Sequence, residues 1–179
     1  MRQRIKVTFP ATTKHNPSVD TATAQQIAKI CPASVLDVGC GDGFYGSVVR
    51  QIFPYTYLAG IDSNPKWVEH CRELGTVYDE VIEVDLSSYD FGSYDLVIFG
   101  DVLEHLEKSV AMESLKRCLQ TSKFVIVNGP VGFQPQDHED WQEIHRCGIE
   151  RSDFDGLSVV EYTETEPGVM MNCLIKGAP

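Results

Sequence analysis

The stretch Ser34–Val49, SVLDVGCGDGFYGSVV, decides how the rest of the chain is read. A β-branched run ends in three glycines at alternate positions, Gly39, Gly41 and Gly43, with Asp37 before them and Asp42 among them. A helical pattern follows, with Phe44, Val48 and Ile52 on one face and Pro54 beyond its end. A strand, a glycine turn and a helix in that order give up the Cβ atoms that would keep a ligand from the backbone. They also point the free N–H groups of the helix start at that ligand. A tight turn with no ligand is the alternative that a short glycine motif leaves open.

Outward from this turn the same alternation repeats. VDTATAQQIAKIC has apolar residues at helical spacing and stops at Pro32. YLAGID (57–62) is a second strand, and SNPKWVEHCREL (63–74) a helix with Asn64 as N-cap, Pro65 at its first position and Gly75 at its close. VIEVDL (81–86), YDLVIFG (94–100) and KFVIVNG (123–129) are further strands, with the helix SVAMESLKRCLQ (109–120) between the last two. Crossovers of this kind build a parallel sheet, and their right-handedness makes it a doubly wound α/β sandwich. LSVVEYT and VMMNCLIK are separated by the turn-rich ETEPG with no room for a helix, so they form an antiparallel hairpin at one sheet edge.

The 179 residues are expected to form one domain over 1–179, of 42% hydrophobic and 23% charged residues. A formal net charge of −11 argues against a dedicated nucleic-acid binder. No apolar run reaches membrane-spanning length, and no apolar stretch follows the basic residues of the N-terminus as a signal peptide requires. The cysteines, at 31, 40, 71, 118, 147 and 173, contain no C-x-x-C pair and read as free thiols of a reduced compartment, the cytoplasm. Nothing in the sequence sets the oligomeric state.

Ligands of doubly wound sheets bind at the carboxyl ends of the strands. Three acids stand at such ends: Asp37, Asp62 and Asp85. GCGDGFYG fits the dinucleotide pattern G-x-G-x-x-G only imperfectly, and a carboxylate beside a pyrophosphate gains nothing. A nucleotide carrying an ammonium group gains from Asp37, ribose hydroxyls donate to Asp62, and an adenine amino group donates to Asp85. Taken singly, each acid reads equally as a loop residue or a helix cap.

The ordered set VLDVGCGDG, GIDSN, VIEVDL, YDLVIFGDVLEHLE and FVIVNGP resembles the motif series of the class I S-adenosylmethionine-dependent methyltransferases, over about residues 15 to 175. The resemblance implies a Rossmann-like sandwich whose mainly parallel seven-stranded sheet ends in a reversed hairpin. It implies S-adenosyl-L-methionine as cofactor, with S-adenosyl-L-homocysteine as product. Carried over by position, Asp37, Gly39, Cys40 and Gly41 frame the methionine part, and Asp62 with Ser63 holds the ribose. Asp85 and Leu86 flank the adenine, while Gly100 and Asp101 lie along the methionine tail. The lead-in 1–16, with TKHNPS at its end, covers the cofactor, and residues 128–147 form a substrate lid. The implied activity is methyl transfer to an O or N atom of a small-molecule acceptor. A non-catalytic cofactor-binding scaffold and a dehydrogenase-like protein are the alternatives, the second weakened by Asp37.

The acceptor end rests on DVLEHLEK. On a helical turn Asp101, Glu104 and His105 share one face. They read as a capping box with Asp101 as N-cap, as a family habit of the small-molecule members, as a general base at His105, or as a site for a divalent cation. His105, His145 and Asp101 are the catalytic candidates; no metal is expected. HRCGIERSDF (145–154) is similar to a segment of the Hen-type small-RNA 2′-O-methyltransferases, which implies a metal set of Asp101, Glu104, His105 and either His138 or His145. Asp in the first position, the short chain and the acidic charge depart from that type. ERSDF also reads as the start of a short helix capped by Ser152. Phe133, His138, Trp141 and His145 wall a pocket, or else Trp141 and Ile144 pack on the sheet as the apolar face of a short helix.

Overall fold

The computed structural model describes residues 16–136, 138–165 and 169–178. Of the lead-in 1–16 and TKHNPS, expected to cover the cofactor, the part up to His15 lies outside them; Asn16 caps the first helix, and Pro17 and Ser18 begin it. Among the described residues the strands are β1 (Ser34–Val38), β2 (Tyr57–Asp62), β3 (Glu80–Glu83), β4 (Leu96–Gly100), β5 (Phe124–Pro130), β6 (Ser158–Glu164) and β7 (Met170–Lys176). The helices are α1 (Pro17–Ile30), α2 (Phe44–Ile52), α3 (Pro65–Glu73) and α4 (Lys108–Thr121). The strands form one sheet in the order β3-β2-β1-β4-β5-β7-β6. β1 to β5 run parallel, and β7 lies antiparallel to both β5 and β6, which is the expected edge hairpin.

Side-chain alternation along the central strands explains the layers. Val35, Leu96 and Ile98 point to one face, where Ile27 of α1, Phe44 and Val48 of α2 and Cys71 of α3 meet them. Leu36, Val97 and Phe99 point to the other, covered by Ala111, Leu115 and Cys118 of α4 and by Phe154. Both faces being covered, the parallel strands read as continuous apolar runs rather than alternating ones.

Two buried polar clusters fix this sandwich around the glycine turn. The first is Asp37, 2% exposed on β1. Its Oδ2 accepts from the Gly46 N–H of α2 (3.0 Å) and from the Tyr78 hydroxyl (2.7 Å). The Tyr78 ring fills the space a Cβ would need at Gly46 and Gly60, so this one carboxylate locks α2 onto β1 and β2. Burial outweighs the two hydrogen bonds and pushes the Asp37 carboxyl up to about 7. The second cluster joins α1 to the hairpin side. Asn172 of β7 reaches Asn128 Oδ1 (2.9 Å) on its ladder partner and Gln26 Oε1 (3.1 Å) on α1, while Gln26 Nε2 returns to Asn172 Oδ1 (2.7 Å). Asn128 Nδ2 extends the network to Thr23 and to the Tyr45 hydroxyl of α2, both at 3.0 Å.

Several sequence expectations are corrected. β3 ends at Glu83, so Asp85 is not the last residue of that strand but the cap of a 3-10 turn, Leu86–Ser88. Asn128, Gly129 and Pro130 belong to β5, so the irregular segment expected from residue 128 starts after it. The turn Arg151–Phe154 is 3-10, with Ser152 inside it; the Glu150 N–H donates to Asp153 Oδ2 at 2.7 Å, and Ser152 is no cap.

Two outcomes test these clusters. Asn172→Ala leaves the Gln26 amide buried without its partner and takes one of two donors from Asn128 Oδ1, the Thr23 hydroxyl remaining, and is expected to cost about 2–4 kcal/mol as read from urea unfolding midpoints. For Asp37 the folded state binds the proton more tightly than an unfolded carboxyl of model value 3.8. Stability therefore falls as pH rises from about 4 to about 7, by on the order of 3–4 kcal/mol, and is level above that. Asp37→Asn keeps an oxygen for both donors, and thermal melts of the variant across this window should lose that decline.

Candidate active site

The sheet order reverses between β1 and β4, and the carboxyl ends of the strands open there into a cavity of about 580 Å³. Along this edge stand, in sheet order, Asp85 beyond β3, Asp62 on β2, the glycine turn after β1, Gly100 to His105 after β4, and Pro130 on β5. Every expected cofactor residue lines this one cavity, as do His105 and His145.

The glycine turn is shaped from two directions. Gly39 has φ +61°, and a Cβ on it would stand 2.5 Å from a Val102 methyl, so backbone and packing both demand glycine. Gly41, at φ +49°, faces open space apart from the Gly39 carbonyl. Its N–H donates to Asp62 Oδ2 (3.0 Å), and the Asn64 N–H donates to Asp62 Oδ1 (2.8 Å). Both carboxylate oxygens are thus held by backbone donors and keep acceptor capacity towards the cavity. Burial raises the Asp62 pKa, those backbone donors oppose the rise, and the Glu143 carboxylate adds to it. Cys40 lies between these glycines; its hydrogen bond with Cys71 and then its burial push the thiol up, so it packs the wall as a neutral group. Asp85 is exposed, and its Oδ1 accepts from the Ser87 N–H (2.8 Å) and hydroxyl (2.6 Å), which lowers its pKa.

Asp101 follows β4 in the left-handed region, φ +55°, with its N–H on the Asn128 carbonyl (3.2 Å). A non-glycine residue held there is the sort of local strain that gathers at functional sites. Next to it Gly100 makes room for the Tyr45 ring, which would stand 2.2 Å from a Cβ. The helical turn expected over 101–105 is instead a single 3-10 turn, Leu103–His105, with no side chain capping it. Asp101 lies outside that turn, so the capping box does not form and the three residues do not share a helical face. Glu104 points inward, 2% exposed, against Gly129 of β5. Burial first, and the Asp101 charge second, raise its pKa well above the usual carboxylate range.

His145 arrives from the segment after β5. Its ring meets that of His105 edge-on, with centroids 4.9 Å apart. Its Nδ1 lies 2.6 Å from the Gln134 carbonyl, a contact that requires a proton on Nδ1 and so leaves Nε2 as the acceptor of the neutral ring. The Arg146 and Cys147 N–H groups donate to the Glu104 carbonyl (2.7 and 3.1 Å), which fixes His145 against the 103–105 turn. Ligand atoms of Glu104, His105 and His145 lie within 4.8 Å of one another. Of the metal set implied by the Hen-type resemblance, Asp101 is not in this group. His138 is exposed, with Nδ1 accepting from the Asp140 N–H (3.0 Å). Trp141 is 63% exposed at the cavity rim, with the Arg146 guanidinium 5.0 Å from its ring, and does not pack on the sheet; Phe133 does not line the cavity.

Sequence reasoning missed the strap that closes one side of the cavity. Asn64 Nδ2 donates to Asp140 Oδ2 (3.1 Å), Trp67 Nε1 to Glu143 Oε1 (3.2 Å), and Gln142 Nε2 to the Ser63 hydroxyl (3.1 Å). Their separations in sequence, 76 to 79 residues, leave no local signal; only the capping role of Asn64 is readable from its neighbours.

Residues 36–127 match the family model of the methyltransferase domain, a span of more than half the chain. A malonyl-[acyl-carrier protein] O-methyltransferase of Legionella pneumophila is 29% identical over 125 residues, 66% of this chain and 42% of that protein; the chain thus spans less than half the length of that curated relative. The fold is similar to that of an S-adenosylmethionine-dependent methyltransferase from Clostridium acetobutylicum, with TM-score 0.70 and 10% identity over 93% of this chain and 94% of that one. It is also similar to a magnesium protoporphyrin IX methyltransferase from Synechocystis, solved with bound S-adenosylhomocysteine, with TM-score 0.64 and 18% identity over 90% and 82% of the two chains. With its glycine turn, its switch-point cavity and its seven-stranded sheet ending in a reversed hairpin, the chain belongs to the methyltransferase-domain family of class I fold.

Proposed function

We propose that this chain is an S-adenosylmethionine-dependent methyltransferase acting on an O or N atom of a small-molecule acceptor. The observation that carries this is the layout of the cavity: ribose- and adenine-type acceptors, Asp62 and Asp85, stand towards one edge of the sheet, and the His105–His145 pair stands beyond β4, with the glycine turn between them. The residues present suit the cofactor. Gly41 leaves a cradle that a side chain would have to share, Asp62 can take two hydroxyl donors, and Asp37, Asp62 and Asp101 suit a ligand bearing positive charge.

The bound cofactor supplies an activated methyl group on a sulfonium, for which in-line displacement needs mainly proximity and alignment. The chain's own work is to hold and orient. Asp62, kept in place by the Gly41 and Asn64 N–H groups, fixes the nucleoside; Asp101 and Gly100 set the floor between the two ends. His145, with its proton on Nδ1 facing the Gln134 carbonyl and Nε2 left as acceptor, takes the proton of a hydroxyl acceptor as general base. The acidic charge of the chain speaks for a small acceptor rather than a nucleic acid. Its free cysteines, five of them buried, suit a reduced, cytoplasmic setting; among the described residues no helix is long and apolar enough to cross a membrane. We take the whole of 1–179 as one domain whose lid begins after β5.

A second reading is favoured by the convergence of Glu104, His105 and His145: a divalent cation there would polarise the acceptor hydroxyl. Bonds of about 2.1 Å to a common ion place ligand atoms at most about 4.2 Å apart, so the 4.8 Å group closes on an ion with small side-chain rotations.

Titration calorimetry with S-adenosylhomocysteine should show micromolar binding to the wild type and at least about 10-fold weaker binding to Asp62→Ala, the loss of a charge-assisted pair of bonds. No binding by folded wild type overturns the methyltransferase assignment. In a parallel titration with Mn²⁺, binding that is lost in His145→Ala and retained in His138→Ala selects the metal-assisted reading; no Mn²⁺ binding selects His145 as a simple base.

A further inference from the structure

We propose that Asn64 and Trp67 are positioning residues: through the strap 138–146 they couple occupancy of the nucleoside end of the cavity to the placement of His145. The inference rests on the proposed cofactor reading for what fills that end.

The strap has little packing of its own. Its only regular structure is the 3-10 turn Trp141–Glu143, and its largest side chain, Trp141, is mostly exposed. Polar bonds hold it on two sides. Towards the nucleoside end Asn64 and Trp67 donate to Asp140 and Glu143, and Gln142 donates to Ser63. Towards the acceptor end, His145 is held by the Gln134 carbonyl and Arg146 by the Glu104 carbonyl.

Asn64 is the hinge of the coupling because it does three things. Its N–H holds Asp62 Oδ1, its Oδ1 caps α3 through the Lys66 N–H (3.1 Å), and its Nδ2 reaches Asp140. Asp140 does the matching work on the strap: Oδ1 caps the 3-10 turn through the Gln142 N–H (3.0 Å), and Oδ2 takes the Asn64 amide. Two caps are thus joined back to back by one hydrogen bond. A ligand that donates to Asp62 acts on the residue that holds the strap. Glu143 also stands near enough to Asp62 to oppose its ionisation, a conflict that ligand hydroxyls at Asp62 relieve. Only one residue separates Glu143 from His145, so the chain cannot move the first by several ångströms and leave the second in place. A strap held by a few polar bonds and little apolar area belongs to the segments that open locally, and a ligand that prefers the closed form shifts that equilibrium.

The test follows two signals on S-adenosylhomocysteine addition to the full chain: amide hydrogen exchange over 138–146, and the ring ¹H–¹³C resonance of His145. In the wild type the ligand should slow strap exchange about 10-fold or more and shift the His145 resonance. Trp67→Phe, which loses only the N–H, and Asn64→Asp, which keeps the cap of α3 and loses the donor to Asp140, should still bind the ligand but lose both responses. Asp140→Asn added to Asn64→Asp reverses donor and acceptor and should restore them; a merely structural role for Asn64 would not show that rescue. An unchanged His145 response in Trp67→Phe and Asn64→Asp overturns the coupling alone. Failure of the wild type to bind the ligand overturns the cofactor reading and takes the coupling with it.

Discussion

The constraint on which the structure depends is a buried carboxylate. Asp37 stands in the middle of the sheet, where an ion is costly, and is tolerated because its Oδ2 collects the Gly46 N–H and the Tyr78 hydroxyl. The cost shows in its raised pKa. The return is geometric. Tyr78 is drawn across Gly46 and Gly60, which brings α2 close to β1 and β2 and leaves the turn between Val38 and Phe44 no freedom to drift. Gly41 then presents its N–H to Asp62, and the first two strands share one rim.

From that rim the cavity divides by electrostatics. Towards β2 and β3 the carboxylates are solvated or bound by backbone donors, and Asp85 is held ionised by Ser87. Beyond β4, burial of Glu104 and the neighbouring Asp101 charge raise its pKa. A chain of net charge −11 thus favours the ionised form of a carboxylate at one end of its site and disfavours it for another at the other end. That second end is where the two imidazoles meet.

The parallel strands, their crossovers and the terminal hairpin were legible because each is a local pattern: an apolar run of strand length, a helical stripe, or two runs with no room for a helix between them. The acids at strand ends were legible for the same reason, although Asp85 proved to cap a turn two residues past its strand. The 101–105 segment misled because its spacing fits a helix, while the Asp101 N–H bonds to Asn128 across the sheet and draws the residue into the left-handed region. Ser152 misled in a similar way: it has the composition of a cap, but the turn starts one residue earlier, and Asp153 bonds back to the Glu150 N–H.

By itself the sequence determined the doubly wound sandwich, its terminal hairpin and the identity of the residues at the carboxyl ends of the strands, since these follow from periodicity and from where glycines and acids interrupt it. Tertiary structure alone decided that Glu104, His105 and His145 form one group, that Asp37 is clamped by Tyr78, and that Asn64 and Trp67 hold a strap 76 residues away. The physical reason is common to all three. Each depends on a hydrogen bond or ring contact between segments far apart in the chain, whose partners carry no mark of one another until packing of the sheet brings them within reach.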